Sequence, residues 1–210
     1  MTQPLDVAVI GAGIVGLAHA FSAAERGYRV TLFERSERAC GASIRNFGMV
    51  WPIGQPAGEL HDIAMESRVR WLRLAESAGL WVNPCGSIHL AHRGDESAVL
   101  QEFHEQSSQL GFECDWLTAD EVLSRSPAVN PDGLLGGLFS PTELCVDPRA
   151  AIRRLPQWLE QEHDVRCEFG TTITSIGCGH VGSADGRQWD ADRIVICSGA
   201  DFETLFPQVF

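Results

Sequence analysis

An almost unbroken apolar run, residues 6–10, leads into a glycine-spaced turn, after which small and apolar residues recur at helical spacing from Ile14 to Arg26. The run predicts a strand buried on both faces, as in a parallel sheet. Gly27 predicts the end of the helix, and residues 28–34 predict a second strand, completing a βαβ unit of about 30 residues. Leu60, Ile63, Ala64, Val69, Leu72 and Ala75 recur at intervals of three and four and predict a helix over 59–78, closed by Gly79. Residues 85–91 alternate as a strand does. Residues 95–110 read as a helix stopped by Gly111, and Thr118-Ala-Asp-Glu121 has the spacing of a capping box. From Asn130 to Pro148 the chain is rich in Gly and Pro around a short Leu-Phe strand, and Asp147 is the expected N-cap of a helix reaching Glu162. Residues 165–169, 171–176 and 193–197 predict further strands, with a turn near Gly186.

Between the first strand and helix stands Gly11-Ala12-Gly13-Ile14-Val15-Gly16. Gly11 permits the tight turn, Gly13 lets the backbone approach a pyrophosphate, and Gly16 lets helix and strand pack closely. Phosphates would rest on the helix N-terminus, where unpaired N–H groups and the dipole favour an anion. Glu34, an acid at the end of the second strand, is placed to accept hydrogen bonds from ribose hydroxyls and disfavours a 2′-phosphate. Arg35 and Arg38 follow, as partners of the adenine and its phosphates or as plain solvated surface. This fingerprint calls for a dinucleotide and leaves open whether it is a nicotinamide or a flavin. Gly41-Ala-Ser-Ile-Arg-Asn-Phe-Gly48 bears on that choice. Gly41 and Gly48 permit close backbone approach, while Ser43, Arg45 and Asn46 supply donors suited to an anionic diphosphate.

Taken in order, the glycine motif, Glu34, the 41–48 stretch, Gly137-Leu-Phe-Ser-Pro141, Val146-Asp147-Pro148, Thr171-Thr-Ile-Thr-Ser-Ile176 and Arg193-Ile-Val-Ile-Cys-Ser-Gly-Ala200 resemble one family. It is the D-amino acid oxidase family of FAD-dependent oxidoreductases, with glycine and sarcosine oxidases among its members, and the likeness is to its N-terminal half. The resemblance implies an α/β fold: a Rossmann-like FAD-binding domain in two parts, 1–80 and 146–210, with an inserted, incomplete α+β substrate domain at 81–145. FAD is the implied cofactor. Gly11, Ala12, Gly13, Ile14, Gly16, Glu34 and Arg35 would surround its ADP half, and Ser43 would bond a phosphate. Arg45 would meet either the diphosphate or an anionic substrate. Asn46, Phe47, Gly48 and Met49 would lie along the flavin, the Ile173 backbone would meet the adenine, and Ser198, Gly199 and Ala200 would close over the phosphate and ribityl side.

The implied reaction is oxidation of a C–N bond in a small amine or amino acid, with hydride passing to the flavin and the resulting imine then hydrolysed. The stretch from Arg45 to Pro56 resembles a subgroup linked with aminophosphonate breakdown. No catalytic residue is marked. Gln55 and His61 are candidates for the substrate side, beside a plainer role at the start of the 59–78 helix. Relatives in the family continue well past the position of Phe210, so the C-terminal remainder is expected to be absent and the substrate pocket to lack a wall. Two alternatives follow: a nucleotide-binding chain without turnover, and an NAD-dependent dehydrogenase.

Charge and rare residues narrow the field further. All 16 basic residues are Arg, and without Lys the chain has no side-chain amine for Schiff-base chemistry. A net charge of −12 and a pI near 4.9 argue against nucleic acid as a partner. Seven Cys without a C-x-x-C pair suit reduced thiols and a cytoplasmic setting. Cys178 and His180 are neighbours in a Gly-rich turn but fall short of the about four ligands of a zinc site, so no metal is expected. The apolar N-terminus lacks the positive start of a signal peptide, and no run reaches the roughly 18 apolar residues of a membrane span.

Overall fold

Four of the five residues of Asp6–Ile10 are buried, the condition under which an apolar run becomes an interior parallel strand. In the computed structural model, which describes residues 3–205, this strand, β1 (Asp6–Ile10), is followed by α1 (Ile14–Ala24) and β2 (Arg29–Glu34). Next come β3 (Met49–Val50), α2 (Glu59–Ser77), β4 (Val82–Asn83), β5 (Ser87–Ala91), α3 (Gly94–Ser107), β6 (Asp115–Thr118), α4 (Ala119–Arg125), β7 (Gly136–Ser140) and β8 (Leu144–Val146). Then α5 (Pro148–His163), β9 (Arg166–Phe169), β10 (Ile173–Gly177), β11 (His180–Ser183), β12 (Gln188–Asp190), β13 (Arg193–Ile196) and α6 (Phe202–Leu205) close the order. Both expected helix starts carry their caps. Asp147 accepts from the amides of Arg149 and Ala150, and Thr118 forms a reciprocal capping box with Glu121.

Contacts divide the chain into two units, Met1–Phe47 with Asp147–Phe210, and Gly48–Val146. The first holds a four-stranded parallel sheet in the order β13-β1-β2-β9. One face of it, carrying Ala8, Ile10 and Phe33, packs on Ile173, Val181 and Ala191 of the antiparallel β10-β11-β12 sheet and the residues beside it. Trp189 meets Phe33 edge-on at 4.9 Å between ring centres. Alternation sends Val7, Val9, Val30 and Leu32, all buried, to the opposite face. Helices α1 and α5 are joined by the rings of Phe21 and Trp158, 5.1 Å apart.

The second unit contains two antiparallel three-stranded sheets, β3-β8-β4 and β5-β7-β6. Residues 48–80, expected with the nucleotide-binding part, group here instead. The physical reason is pairing across a long span: Met49 and Val50 pair with Cys145 and Leu144, and Arg68 of α2 donates to the Thr142 carbonyl at 2.6 Å. The two- and three-residue strands β3, β4 and β8 lie outside the predicted set, as do β6, β11 and β12. Their short sequences DWLT, HVGS and QWD carry little alternating signal and are held by neighbours instead.

Candidate functional site

The turn after β1 is built around backbone contact. Gly11 has φ +101°, and a Cβ there would stand 2.4 Å from the Cys197 carbonyl oxygen. At Gly16 a Cβ would come within 1.8 Å of the Gly11 oxygen, so α1 sits against the turn at a distance only glycine allows. Gly13 is the N-cap residue of α1 and offers no side-chain cap. Ser43, on the 3-10 turn Ala42–Ile44, supplies one from outside: its Oγ accepts from the Ile14 amide at 3.0 Å. The hydroxyl proton remains free to be donated to an anion seated at the helix N-terminus.

Glu34, half-buried at the end of β2, accepts from the Ala12 amide at 3.1 Å through Oε2 and from the Ser36 amide at 3.1 Å through Oε1. Two backbone donors thus hold its carboxylate in one orientation, with lone pairs left over. A cleft open to solvent runs beside it, lined by Ile10, Gly11, Phe33, Glu34, Ile173 and Ser198. The buried Oγ of Ser198 has no hydrogen-bond partner among the described residues. An orphaned hydroxyl, a glycine cradle that a Cβ would fill, and a fixed carboxylate are together what a dinucleotide with phosphates and ribose would satisfy.

Other expected site residues fall as follows. Ala12 is buried and Ile14 half-buried in the same turn, and Ile173 packs in the core while lining the cleft. Gly199 and Ala200 form the 3-10 turn after Ser198, and Arg35 pairs with Asp201 at 2.6 Å across the cleft. Asn46 donates to the Ser43 carbonyl at 3.0 Å, Arg45 is exposed with a long 3.4 Å contact to the Cys40 carbonyl, and Phe47 is 82% exposed. Gly48 and Met49 belong to the second unit. There the Gly48 carbonyl accepts from the Val146 amide at 2.8 Å, and Met49 opens β3. His61 is a core residue, buried with its ring 4.4 Å from that of Phe112, which removes it from the substrate-side candidates, whereas Gln55 and Arg38 are exposed.

Two polar features had no signal in the sequence. One is Asp201, an acid without a motif. The other is Glu143, only 1% exposed, which accepts from the Ile53 amide at 3.1 Å, Thr142 Oγ1 at 2.8 Å and Ser87 Oγ at 3.0 Å. Ser87 also meets His89 Nε2 at 3.3 Å, and Trp51 stacks on that imidazole. Burial pushes His89 below its ordinary value against the pull of the Glu143 charge. Burial also raises the thiols of Cys114, Cys145 and Cys197, and pushes Cys167 up to about 12 with help from Glu160. These four are poor nucleophiles. Among the described residues no three His, Cys, Asp or Glu side chains gather as a metal site, and no helix is long and apolar enough to cross a membrane.

Residues 6–209 match the family described as DAO, FAD dependent oxidoreductase. The chain belongs to this family. Glycine oxidase of Geobacillus kaustophilus (strain HTA426) is 29% identical over 210 residues, covering 95% of this chain and 56% of that protein. L-2-hydroxyglutarate dehydrogenase of Escherichia coli (strain K12) is 24% identical over 202 residues, covering 92% of this chain and 47% of that one. The crystal structure of glycine oxidase from Geobacillus kaustophilus superposes with a TM-score of 0.85 at 25% identity, over 99% of this chain and 59% of that chain. The Rossmann-like α/β fold expected from the sequence is therefore the one observed. The chain spans about half the length of the relatives it matches. The glycine turn, Ser43, Glu34 and Ser198 are the candidates in this chain for holding a dinucleotide.

Proposed function

We propose that the first unit binds FAD through its adenosine and diphosphate, and that the protein oxidises the C–N bond of a small amine or amino acid. The observation that carries this reading is the cleft itself. It joins a backbone-fixed Glu34 and the Ser198 hydroxyl on the carboxyl side of a parallel sheet, and the Ser43-capped N-terminus of α1 begins three residues after the Gly11 that lines it. Glu34 has acceptor capacity left for two ribose hydroxyls. Ser43 and the first turn of α1 face the diphosphate, and Ser198 donates to a phosphate or ribityl oxygen. Arg45 is the exposed cation for the diphosphate or for the carboxylate or phosphonate of an anionic substrate. Exposed Phe47 is apolar surface suited to contact with a ring system. The bound flavin supplies the hydride acceptor, and the protein's part is to orient and enclose. Seven free cysteines suit a reducing, cytoplasmic setting.

The glycine oxidase match supports a C–N substrate, while the likeness to a 2-hydroxy acid dehydrogenase favours a second reading in which a C–O bond is oxidised. The test begins with the visible absorption spectrum of the purified chain and identification of any cofactor released on denaturation. Stoichiometric FAD is expected. A panel of glycine, sarcosine, small D-amino acids, 2-aminoethylphosphonate and 2-hydroxy acids, tested on a longer chain of the family's full length, then separates the two reactions. Failure of added FAD to bind either chain would sink the flavin reading.

A further inference from the structure

Sheet order places β1 between β13 and β2, so the ends of β13 and β2 stand two strand spacings apart, roughly 10 Å, across the Gly11 turn. Arg35 follows β2 directly. Asp201 closes the 3-10 turn Gly199–Asp201 beyond β13. Their side chains meet at 2.6 Å, and both residues line the cleft that Ile10 and Gly11 floor. The pair therefore bridges the two rims above the strand whose turn cradles a nucleotide. On the Asp201 side, Gly199 takes φ +62° with nothing within 4 Å of where its Cβ would be, the Asp201 amide reaches the Ser198 carbonyl at 3.2 Å, and Leu205 packs against the core cluster of Ile10, Phe33 and Ile173. Leu205 of the following helix also lines the cleft, so movement of this segment alters the wall itself.

We propose that Asp201 is a positioning residue of the nucleotide site, acting through Arg35 as a clasp that closes the cleft over the adenosine half of the cofactor. This rests on the flavin reading above. With the pair formed, Arg35 is held across the mouth and the 199–205 segment is held against the end of β2, so a bound dinucleotide leaves only after the clasp opens. The two side chains are 52% and 42% exposed, and exposed ion pairs of this kind shift an equilibrium about two- to fivefold, weakening with salt. Entry and release should both quicken when the pair is lost, with less change in the equilibrium constant than in either rate.

The experiment compares wild type with D201N, R35Q, D201E and the charge exchange R35E/D201R. Amide hydrogen exchange of residues 199–205 in the cofactor-free protein reads the clasp without any nucleotide. Stopped-flow flavin fluorescence reads FAD entry and release. D201N and R35Q should speed exchange and FAD release about two- to fivefold, as expected for an exposed pair. D201E and the charge exchange should recover most of the slow release, and 0.5 M NaCl should move wild type toward the single variants without moving those. Unchanged exchange in D201N overturns the clasp whatever happens with flavin. Faster exchange with unchanged FAD rates overturns its role over the cofactor. If wild type binds no FAD while D201N still speeds exchange, the clasp stands and the flavin reading falls.

Discussion

Glu34 and Glu143 are both carboxylates held by hydrogen bonds, one in each unit, and they are held differently. Glu34 takes backbone amides 22 and 2 residues away in sequence and stays half-buried at a strand end beside an open cleft. Glu143 takes the Ile53 amide and the Ser87 hydroxyl, 90 and 56 residues away, together with its neighbour Thr142, and is closed off from water. The first arrangement leaves acceptor capacity facing the open cleft. The second nearly saturates the carboxylate and ties α2's lead-in, β5 and β8 into one unit. A carboxylate half satisfied by fixed donors is a recognition group, whereas one enclosed by donors from distant segments is a structural joint.

The largest break in this comparison is Gly16→Ala. Its Cβ would meet the Gly11 oxygen at 1.8 Å, a backbone clash that no rotamer relieves. The expected cost exceeds about 4 kcal/mol, seen as loss of soluble folded chain and of FAD uptake together. Next is Glu143→Leu, which strips the Ile53 amide and the Ser87 and Thr142 hydroxyls of their acceptor. A loss of about 3 kcal/mol is expected from these unmet buried donors. Hydrogen exchange should quicken in β5 and β7 and leave β1 and β2 protected. Equal loss of protection in both units would show that Glu143 is more than a joint of the second.

Glu34→Ala reverses that pattern. The Ala12 and Ser36 amides lose their acceptor and the ribose loses its own, so FAD affinity should fall about 10- to 100-fold, or about 1.4–2.7 kcal/mol. The melting curve should move little, because the site is half-exposed and water can replace the carboxylate. Glu34→Gln, which keeps one acceptor oxygen, should lie between. Titration of the chain with FAD by fluorescence checks both. A variant that binds as tightly as wild type would take the recognition role away from Glu34.

What was legible in the sequence follows the same divide. The glycine turn, α1, β2 and Glu34 are encoded within 30 or so consecutive residues by spacing, and spacing of that kind survives in one sequence. The caps at Asp147 and Thr118 were legible for the same local reason. Glu143 was not, because an acid in Ser-Pro-Thr-Glu reads as a turn until Ile53 and Ser87 are brought to it. Met49 read as the end of a flavin-facing stretch, and its strand partner, Cys145 of β8, lies some 95 residues on. Asp201 stands five residues past the end of β13, outside any motif, and only the fold shows Arg35 opposite it.

The smallest predicted effect is a gain, confined to the first unit. Asp164, the C-cap of α5, adopts φ 53° and ψ 27°, and it is the one described non-glycine residue with positive φ. Left-handed backbone costs an L-residue roughly 1 kcal/mol, and a carboxylate at a helix C-terminus opposes the dipole there. Its amide still reaches the Leu159 carbonyl, so the conformation is held by the helix end and not by the side chain. Asp164→Gly removes both penalties and adds freedom to the unfolded chain, for a net gain of about 0.5–1 kcal/mol. Thermal denaturation should show a rise of a few degrees, with FAD affinity unchanged because the cleft lies elsewhere in the unit. A drop in stability would mean that the Asp164 carboxylate holds a partner whose loss outweighs the strain.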